Sequence, residues 1–218
     1  MIVTTSQRDV KIEVPAGLTK VGIKMGGGAD SSLMAYMVAK YKKEERPELI
    51  LVPIVIDVEY RDFQIEYTSR VISFIEQELN VSFEPRCIST LSTEETKPSI
   101  ENEFTKSLYV DGTIECHFLG VNEIPPLDEF TGLFDNDPVG RNVLTEKPEI
   151  KYQDHSMISI RPFFNINKQA IKELYDHYNL TDVLFPMTKS CGDEGGIDTP
   201  HCGYCWFCRE RKWGFGKL

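Results

Sequence analysis

The chain has 218 residues, and 41% of its side chains are hydrophobic, which suits one compact domain or one domain with a small appendage. This composition excludes disordered and collagen-like chains. The 24 Lys and Arg are outnumbered by 34 Asp and Glu, and the resulting charge of -10 argues against nucleic acid as a partner. No apolar run approaches the ~20 residues that span a bilayer, and residues 1–14 lack the blocks of a secretory signal. We therefore expect a soluble, cytoplasmic protein with no membrane partner.

Strand and helix patterns alternate in the first part of the chain. Apolar residues alternate along 9–14, and apolar runs follow at 21–23 and 49–58, so strands are predicted at these positions. Residues 33–38 carry apolar side chains at helical spacing and predict a helix that begins just after three consecutive glycines. From 62 to 79, apolar residues recur every three or four positions, which predicts a second, longer helix.

The alternation continues to the C-terminal part. Further strands and helices are predicted at 81–88, 99–108, 114–121, 157–160 and 168–178. Asn167 is placed to cap the last of these helices. Segment 122–152 is interrupted by prolines and glycines, so we expect a long loop that is either functional or a solvated surface excursion.

Strands that alternate with helices predict an α/β fold with a parallel, doubly wound sheet and right-handed crossovers. In such a sheet, ligands bind beyond the carboxyl ends of the strands. The three glycines and Asp57 both lie at that edge. The sequence therefore predicts a ligand site there.

The glycine run, Gly26, Gly27 and Gly28, separates a predicted strand from a predicted helix. Glycines in this position let main-chain N–H groups approach a ligand closely, and the helix directs its positive end toward the same point. An anion, most simply a nucleotide phosphate, is expected there, although a tight turn without a ligand would use the same residues. The run is neither a Walker motif, because no Gly-Lys-Ser/Thr follows, nor the dinucleotide-binding G-x-G-x-x-G.

Four of the six cysteines lie close together near the end of the chain, at Cys191, Cys202, Cys205 and Cys208. Ten residues separate the first two, and the last three have C-x-x-C-x-x-C spacing. Four thiolates complete a tetrahedral Zn²⁺ site, and such closed sites are structural. An iron–sulfur cluster is the alternative, because spacing alone does not separate the two. We predict a zinc-binding lobe at 186–218 that packs on a domain at 1–185.

Three other residues with reactive side chains are not expected to take part in the site. Cys87 and Cys116 lie in apolar stretches, which is typical of buried cysteine. His201 adjoins the cysteine cluster and could replace one thiolate, but four cysteines suffice and we interpret it as a bystander.

The segment VGIKMGGGADSSL resembles the PP-loop of the ATP pyrophosphatase superfamily, whose pattern is Ser-Gly-Gly-x-Asp-Ser. Gly27, Gly28, Asp30 and Ser31 match that pattern. Gly26 replaces the first serine and removes one hydroxyl that would help to hold pyrophosphate. The resemblance implies an adenine nucleotide α-hydrolase-like fold and makes 1–185 a nucleotide-binding domain.

Within this superfamily the chain is similar to the 7-cyano-7-deazaguanine synthases. Their C-terminal pattern is Ser-Cys, a short spacer and Cys-Gly-x-Cys-x-x-Cys with an Arg soon after, which is matched from Ser190 to Arg211. Their Gly-Val-Asn strand end is matched at Gly120 to Asn122, and their Pro-x-x-x-x-x-Lys segment at Pro162 and Lys168.

Two parts of the family pattern are missing from this chain. The family carries Tyr-Pro-Asp-Cys-Arg after Gly-Val-Asn, where it contributes to substrate binding, whereas this chain has NEIPPLDEF at that place. An Arg-Asn segment expected before Gly-Val-Asn is also not recognisable. The part of the family pattern that binds the nucleotide is therefore matched better in this chain than the part that binds the acceptor substrate.

The resemblance implies that ATP is cleaved between its α and β phosphates and that the acceptor becomes an adenylate, which ammonia then attacks. The family's acceptor is 7-carboxy-7-deazaguanine, which it converts to an amide and then to a nitrile. The resemblance thus implies an ATP-dependent ligase that forms a C–N bond and releases AMP and pyrophosphate. The reaction belongs to the biosynthesis of queuosine.

The resemblance also implies roles for individual residues. The pyrophosphate and nucleotide contacts are expected from Gly26, Gly27, Gly28, Ser31, Ser32, Asp57 and Gly120. Asp30 would orient the loop or hold Mg²⁺, because a hard cation neutralises polyphosphate. Lys168 would supply a point charge to the phosphates, unless it is an ordinary surface lysine. Asp57 could instead only cap its strand.

Three other functions remain open from the sequence. A PP-loop enzyme could adenylate another carboxylate, or a tRNA base for thiolation, in which case Cys87 or Cys116 would have to be the reactive cysteine. The missing serine at Gly26 could mark a catalytically weakened nucleotide-binding protein. The tail could instead recruit a partner through Trp206, Phe207, Trp213 and Phe215, although such aromatics also pack small zinc lobes. A homodimer is a further hypothesis.

Overall fold

The computed structural model describes residues 1–58, 63–91, 97–126, 129, 149–152, 157–192 and 198–218. Within these residues the chain forms an α/β fold around a six-stranded sheet and a separate two-stranded sheet. The strands are β1 (Ile2–Thr4), β2 (Asp9–Lys11), β3 (Lys20–Met25), β4 (Ile50–Val58), β5 (Cys87–Leu91), β6 (Cys116–Phe118), β7 (Ile150–Tyr152) and β8 (Ile158–Ile160). The helices are α1 (Ala29–Glu44), α2 (Phe63–Leu79), α3 (Lys97–Val110), α4 (Lys168–His177) and α5 (Trp206–Phe215), with a short 3₁₀ helix at Phe185–Met187.

The six-stranded sheet has the order β5-β4-β3-β6-β8-β7. β3 pairs in parallel with β4 on one side and with β6 on the other, so Val21 is opposite both Leu51 and Cys116. After β3, the chain adds β4 and β5 on one side of that strand. It then returns to the other side, where β6, β8 and β7 form the second half of the sheet. This reversal of strand order is the point at which open α/β sheets bind ligands.

Helices cover both faces of the sheet, as the doubly wound prediction requires. Successive residues of a strand point to opposite faces, and Leu51 packs in the core that contains α1 and α2. Its neighbour Val52 packs instead with Leu108 of α3 and Ile114. The predicted fold class is confirmed, with one difference, because the edge strand β7 runs antiparallel to β8.

Several element boundaries differ from the sequence prediction. The strand predicted at 81–88 begins only at Cys87. Before it, the Glu84 amide donates to the Leu51 carbonyl of β4 at 2.8 Å, but the Phe83 amide donates to Glu76 Oε1 at 3.0 Å. β7 lies inside the predicted loop 122–152, of which residues 127–128 and 130–148 are outside the described part. β2 pairs with the unpredicted β1 rather than joining the main sheet.

The C-terminal helix α5, which the sequence did not predict, packs on α4 and shares its core. The Phe215 ring stacks on Phe185 with centroids 4.1 Å apart, and it meets the Tyr175 ring edge-on at 5.4 Å. The Tyr175 hydroxyl is buried and donates to the Ala29 carbonyl at 2.7 Å, next to the glycine run. The last helix is therefore tied to the start of α1. The division into 1–185 and 186–218 stays a prediction.

None of the helices in the described residues is long and apolar enough to cross a membrane.

Candidate nucleotide cleft and metal site

A cleft of about 310 Å³ opens where the strand order reverses, between the ends of β3 and β6. That volume falls at the lower end of the ~300–1,000 Å³ range of small-molecule sites. Its lining includes residues from both halves of the sheet and from the C-terminal part of the chain, notably Gly26, Gly28, Asp30, Ser31, Gly120, Lys168, Lys189, Ser190, Cys191 and Glu210. The site residues that the sequence predicted at Gly26, Gly28, Asp30, Ser31, Gly120 and Lys168 thus meet in one place.

The glycine loop forms one wall of the cleft. Gly27 has φ +71°, and a Cβ added to it would lie 2.7 Å from the Tyr67 Cβ, so both its conformation and its surroundings require glycine. Gly28 is the N-cap of α1 and offers no side chain to cap the helix. The positive end of α1 is therefore directed at the cleft, as an anion site requires.

The end of β6 approaches the same helix terminus from the other half of the sheet. A Cβ on Gly120 would lie 2.9 Å from the Ser31 amide nitrogen and 3.0 Å from its Cα. Only a glycine allows this close approach. The Ser31 hydroxyl lies 3.3 Å from the Gly28 carbonyl and 3.4 Å from the Gly26 amide, so it braces the loop.

Three charged side chains meet at the floor of the cleft. Lys168 has only 3% of its surface exposed, and its ammonium forms an ion pair with Asp30 Oδ2. Glu210 Oε2, on α5, lies 3.8 Å from the same ammonium. The other carboxylate oxygen, Asp30 Oδ1, is buried and has no hydrogen-bond partner among the described residues. Lys168 is therefore a buried cation within the cleft and not a surface lysine.

Three predicted site residues do not line the cleft. Gly27 shapes the loop from behind, and Ser32 is fully buried on the core side of α1. Asp57 lies near the end of β4, opposite Thr90 of β5, and is not a lining residue. Contact between these side chains and a ligand stays a prediction.

Sequence analysis missed several residues that line the cleft: Gln64 from α2, Glu101 from α3, Lys189, Ser190 and Glu210. Lys24, just before the glycines, also lines it and pairs with Glu101 at 2.9 Å. For Lys189 and Ser190, the signal in the sequence was their position next to the predicted metal ligand Cys191, because a bound metal also fixes the residues beside its ligands.

The segment before Cys191 is fastened directly to the glycine loop. The Lys189 amide donates to the Gly27 carbonyl at 2.8 Å, and the Ala29 amide donates to Ser190 Oγ at 3.3 Å. Behind it, Arg211 is 1% exposed and donates to Thr188 Oγ1 at 2.7 Å. Desolvation lowers the Arg211 pKa to about 10, which leaves it charged at neutral pH.

The four predicted metal ligands come together beside this segment. The Sγ atoms of Cys191, Cys202, Cys205 and Cys208 all lie within 4.8 Å of one another. Main-chain N–H groups point at the sulfurs: the Cys205 amide is 3.3 Å from Cys202 Sγ, and the Cys208 amide is 3.5 Å from Cys205 Sγ. Such donors stabilise thiolates, so the cluster could hold a metal ion.

The local electrostatics differ among these thiols. Burial raises the pKa of Cys208. At Cys202, desolvation also acts to raise the pKa, but the hydrogen bonds to its sulfur, among them those from the Cys205 and Tyr204 amides, together outweigh it and lower the pKa to about 7. His201 Nδ1 lies 3.5 Å from Cys208 Sγ, and desolvation lowers its pKa to about 4, so it is neutral at pH 7. Four cysteines meet without it, as predicted.

Two solved structures resemble the fold at low identity. The U34-tRNA thiolase NcsA from Methanococcus maripaludis with its 4Fe-4S cluster is 14% identical, with a TM-score of 0.47, and the match covers 74% of this chain and 57% of that chain. This chain thus spans less than two thirds of the thiolase. The phosphoadenylyl-sulfate (PAPS) reductase from Candida auris in its phosphate complex is 11% identical, with a TM-score of 0.42, over 75% of this chain and 74% of the reductase. Curated proteins gave no significant match.

A family model described as "Queuosine biosynthesis protein QueC" matches residues 118–218. This stretch contains Gly120, Lys168 and all four cysteines of the cluster. The resemblance to the QueC family that the sequence indicates is therefore confirmed over residues 118–218.

Proposed function

We propose that this protein is an ATP-using enzyme that adenylates its acceptor in the cleft between β3 and β6. The observation that carries the proposal is the convergence of the glycine loop, the positive end of α1 and the buried Lys168 at the point where the strand order reverses. Main-chain donors, a helix terminus and one ammonium form a site for a polyphosphate. The match of residues 118–218 to the QueC family supports the same reading.

The pyrophosphate group of ATP would lie against the glycine loop. Gly26 and Gly28 line the cleft without side chains, so phosphate oxygens can approach the backbone. Ser31 adds a hydroxyl, and Lys168 supplies positive charge where negative charge develops on the leaving pyrophosphate. The chain's own groups thus favour departure of pyrophosphate from the α-phosphorus.

Asp30 is the residue best suited to hold Mg²⁺. Its buried Oδ1 has no partner among the described residues, and carboxylate oxygen is the ligand that Mg²⁺ prefers. The ion would supply neutralisation of the triphosphate charge. Asp30 also fixes the Lys168 ammonium, so one side chain orders both positive charges.

The acceptor that we propose is 7-carboxy-7-deazaguanine. Its carboxylate oxygen attacks the α-phosphorus, pyrophosphate leaves, and ammonia then displaces AMP to give the amide. A second ATP activates the amide oxygen in the same way, and loss of AMP leaves the nitrile. The QueC match supports this choice, whereas the chain's NEIPPLDEF segment, of which residues 127–128 and 130 lie outside the described part, departs from the family's acceptor motif.

Thiolation of a tRNA base is less well supported as a second function. It requires a reactive thiolate, and burial raises the pKa of Cys116 to about 12 and also raises that of Cys87. Both thiols are therefore protonated at neutral pH. A different carboxylate acceptor is the alternative that the residues of the cleft leave open.

For the cysteine cluster we propose a structural Zn²⁺ ion. In a tetrahedron with metal–sulfur bonds of about 2.3 Å, neighbouring sulfurs lie about 3.8 Å apart. The separation between Cys202 Sγ and Cys208 Sγ is 3.8 Å. A multi-iron cluster binds each thiolate to its own iron and holds the sulfurs further apart, so the spacing favours a single ion.

Replacing Cys205 with Ser should remove the metal. Elemental analysis of the purified wild-type chain should find about one zinc per chain, and Cys205→Ser should lose most of it, because a four-thiolate site is left with three ligands. The matched control is Cys87→Ser, which changes a cysteine outside the cluster and should keep the zinc. Iron with sulfide in the wild type would contradict the zinc assignment.

The reaction itself can be followed with ATP, Mg²⁺, ammonium and 7-carboxy-7-deazaguanine. We expect pyrophosphate release and formation of the nitrile, detected by mass spectrometry. Lys168→Met should slow pyrophosphate release by roughly 100-fold, because it removes one transition-state donor of ~3 kcal/mol. Lys172→Met, an exposed lysine one turn along α4, is the control and should change little. Release of pyrophosphate without formation of the nitrile would contradict the proposed acceptor. If no pyrophosphate is released with any carboxylate tested, the proposal that the protein is an adenylating enzyme is wrong.

Gly26→Ser tests whether the loop is weakened by its missing hydroxyl. Among the residues that the structure describes, a Cβ at Gly26 would meet only Gln64 Nε2, at 3.2 Å, and this side-chain end can move aside. A hydrogen bond to a charged phosphate contributes about 1.5–3 kcal/mol, so pyrophosphate release should rise at least about tenfold. An unchanged or slower rate, with the melting temperature preserved, would show that the loop is not limited by this hydroxyl.

A further inference from the structure

Helix α5 holds a carboxylate against the ammonium of Lys168. Glu210 is 2% exposed, and its Oε2 lies 3.8 Å from Lys168 Nζ, which also pairs with Asp30 of the glycine loop. A buried ammonium needs counter-charge, because water cannot solvate it there. Lys168 therefore receives its counter-charge from two different parts of the fold.

The same face of α5 also guides the stem of Lys168. Gly214 is four residues after Glu210, so the two positions share one face of the helix. A Cβ on Gly214 would run into Lys168 Cγ and would lie 2.6 Å from its Cβ and 2.9 Å from its carbonyl carbon. The lysine stem thus crosses α5 at the one position on that face without a side chain, and its ammonium ends beside Glu210.

The cysteine cluster and Arg211 fix the position of α5. Cys205 is the N-cap of the helix, and its sulfur accepts from the Cys208 amide at 3.5 Å. Arg211 follows Glu210 directly and anchors the helix to the 3₁₀ helix by donating to the Phe185 carbonyl at 3.0 Å. Glu210 is therefore presented by a rigid element and not by a mobile loop.

We infer that Glu210 is a positioning residue that holds the Lys168 ammonium in place for the phosphates of ATP. The inference rests on the proposed function. When magnesium engages Asp30, the ion pair between Asp30 and Lys168 weakens, and Glu210 keeps the buried ammonium at the cleft floor, where it meets the phosphates. Without Glu210, Asp30 is the remaining counter-charge at Lys168 in these ion pairs, so the ammonium is held less firmly, reaches solvent more often, and leaves the cleft floor when magnesium occupies Asp30.

Glu210→Gln tests this role in a double-mutant cycle with Lys168→Met. By calorimetry with α,β-methylene ATP and Mg²⁺, Glu210→Gln should weaken binding about tenfold in the wild-type background, the size of one charge-assisted contact. In the Lys168→Met background it should weaken binding less than about twofold, because the group that it positions is gone. Glu78→Gln, an exposed carboxylate on α2, is the control for the change in net charge.

A labelling experiment supplies a readout that does not need ATP. We expect Lys168 in the wild type to react slowly with acetic anhydride, measured by peptide mass spectrometry, and to react faster in folded Glu210→Gln. Exposed Lys172 should react equally in both proteins. If Glu210→Gln does not fold, Gly214→Ala displaces the same stem and should weaken ATP binding and raise Lys168 labelling in the same way.

The outcomes separate this inference from the proposed function. A wild type that binds no nucleotide would overturn the proposed function, while the labelling would still test the hold of Glu210 on Lys168. Equal nucleotide affinity and equal labelling in wild type and Glu210→Gln would overturn the inference. Tighter nucleotide binding in Glu210→Gln would also overturn it, because Glu210 would then act only as a repelling charge.

Discussion

The close approach of two strand ends to one helix terminus governs the rest of the structure. Glycines follow β3 and leave the positive end of α1 open. Beyond β6, the Gly120 backbone passes so close to α1 that a Cβ on Gly120 would lie 2.9 Å from the Ser31 amide nitrogen. A larger residue at Gly27 would collide with Tyr67 of α2, and one at Gly120 would collide with the first turn of α1. The cleft exists because the backbone at this point carries almost no side-chain volume, and main-chain dipoles are left to face whatever binds.

Residues from the C-terminal part of the chain complete the cleft, because Lys189, Ser190 and Glu210 line it. Ser190 and the Lys189 amide fasten the glycine loop to the segment that contains Cys191, while Glu210 of α5 lies 3.8 Å from Lys168 at the floor of the cleft. The cysteine cluster therefore has a physical connection to the proposed phosphate site, although a closed four-thiolate ion has no open position for substrate. A metal of this kind would act through the rigidity of the segments that it joins.

The sequence could predict those parts of the site that consist of short local motifs. The glycine run and the four cysteines are short, contiguous patterns whose chemistry depends on their own spacing, and the structure brings both together as expected. Lys168 was found through a family resemblance, and its burial confirms that it is no surface lysine. Glu210 was not found, because in the sequence it stands between Arg209 and Arg211 and looks like part of a solvated charged face.

Long-range contacts explain the remaining differences. The alternating apolar residues Val81 and Phe83 resemble a strand, but they pack on the core from an irregular segment, and the strand begins at Cys87. β7 has only three residues with two exposed side chains, too short to show a period. Glu101 reaches the cleft only because α3 crosses the opposite face of the sheet, which no local pattern specifies.

The most direct test of this account is a crystal structure of the protein with α,β-methylene ATP and Mg²⁺. The account predicts that the β and γ phosphates lie against the main chain of Gly26 to Ser31, with the Lys168 ammonium and Asp30 beside them. An empty cleft, or a nucleotide whose phosphates point away from the glycine loop, would contradict it.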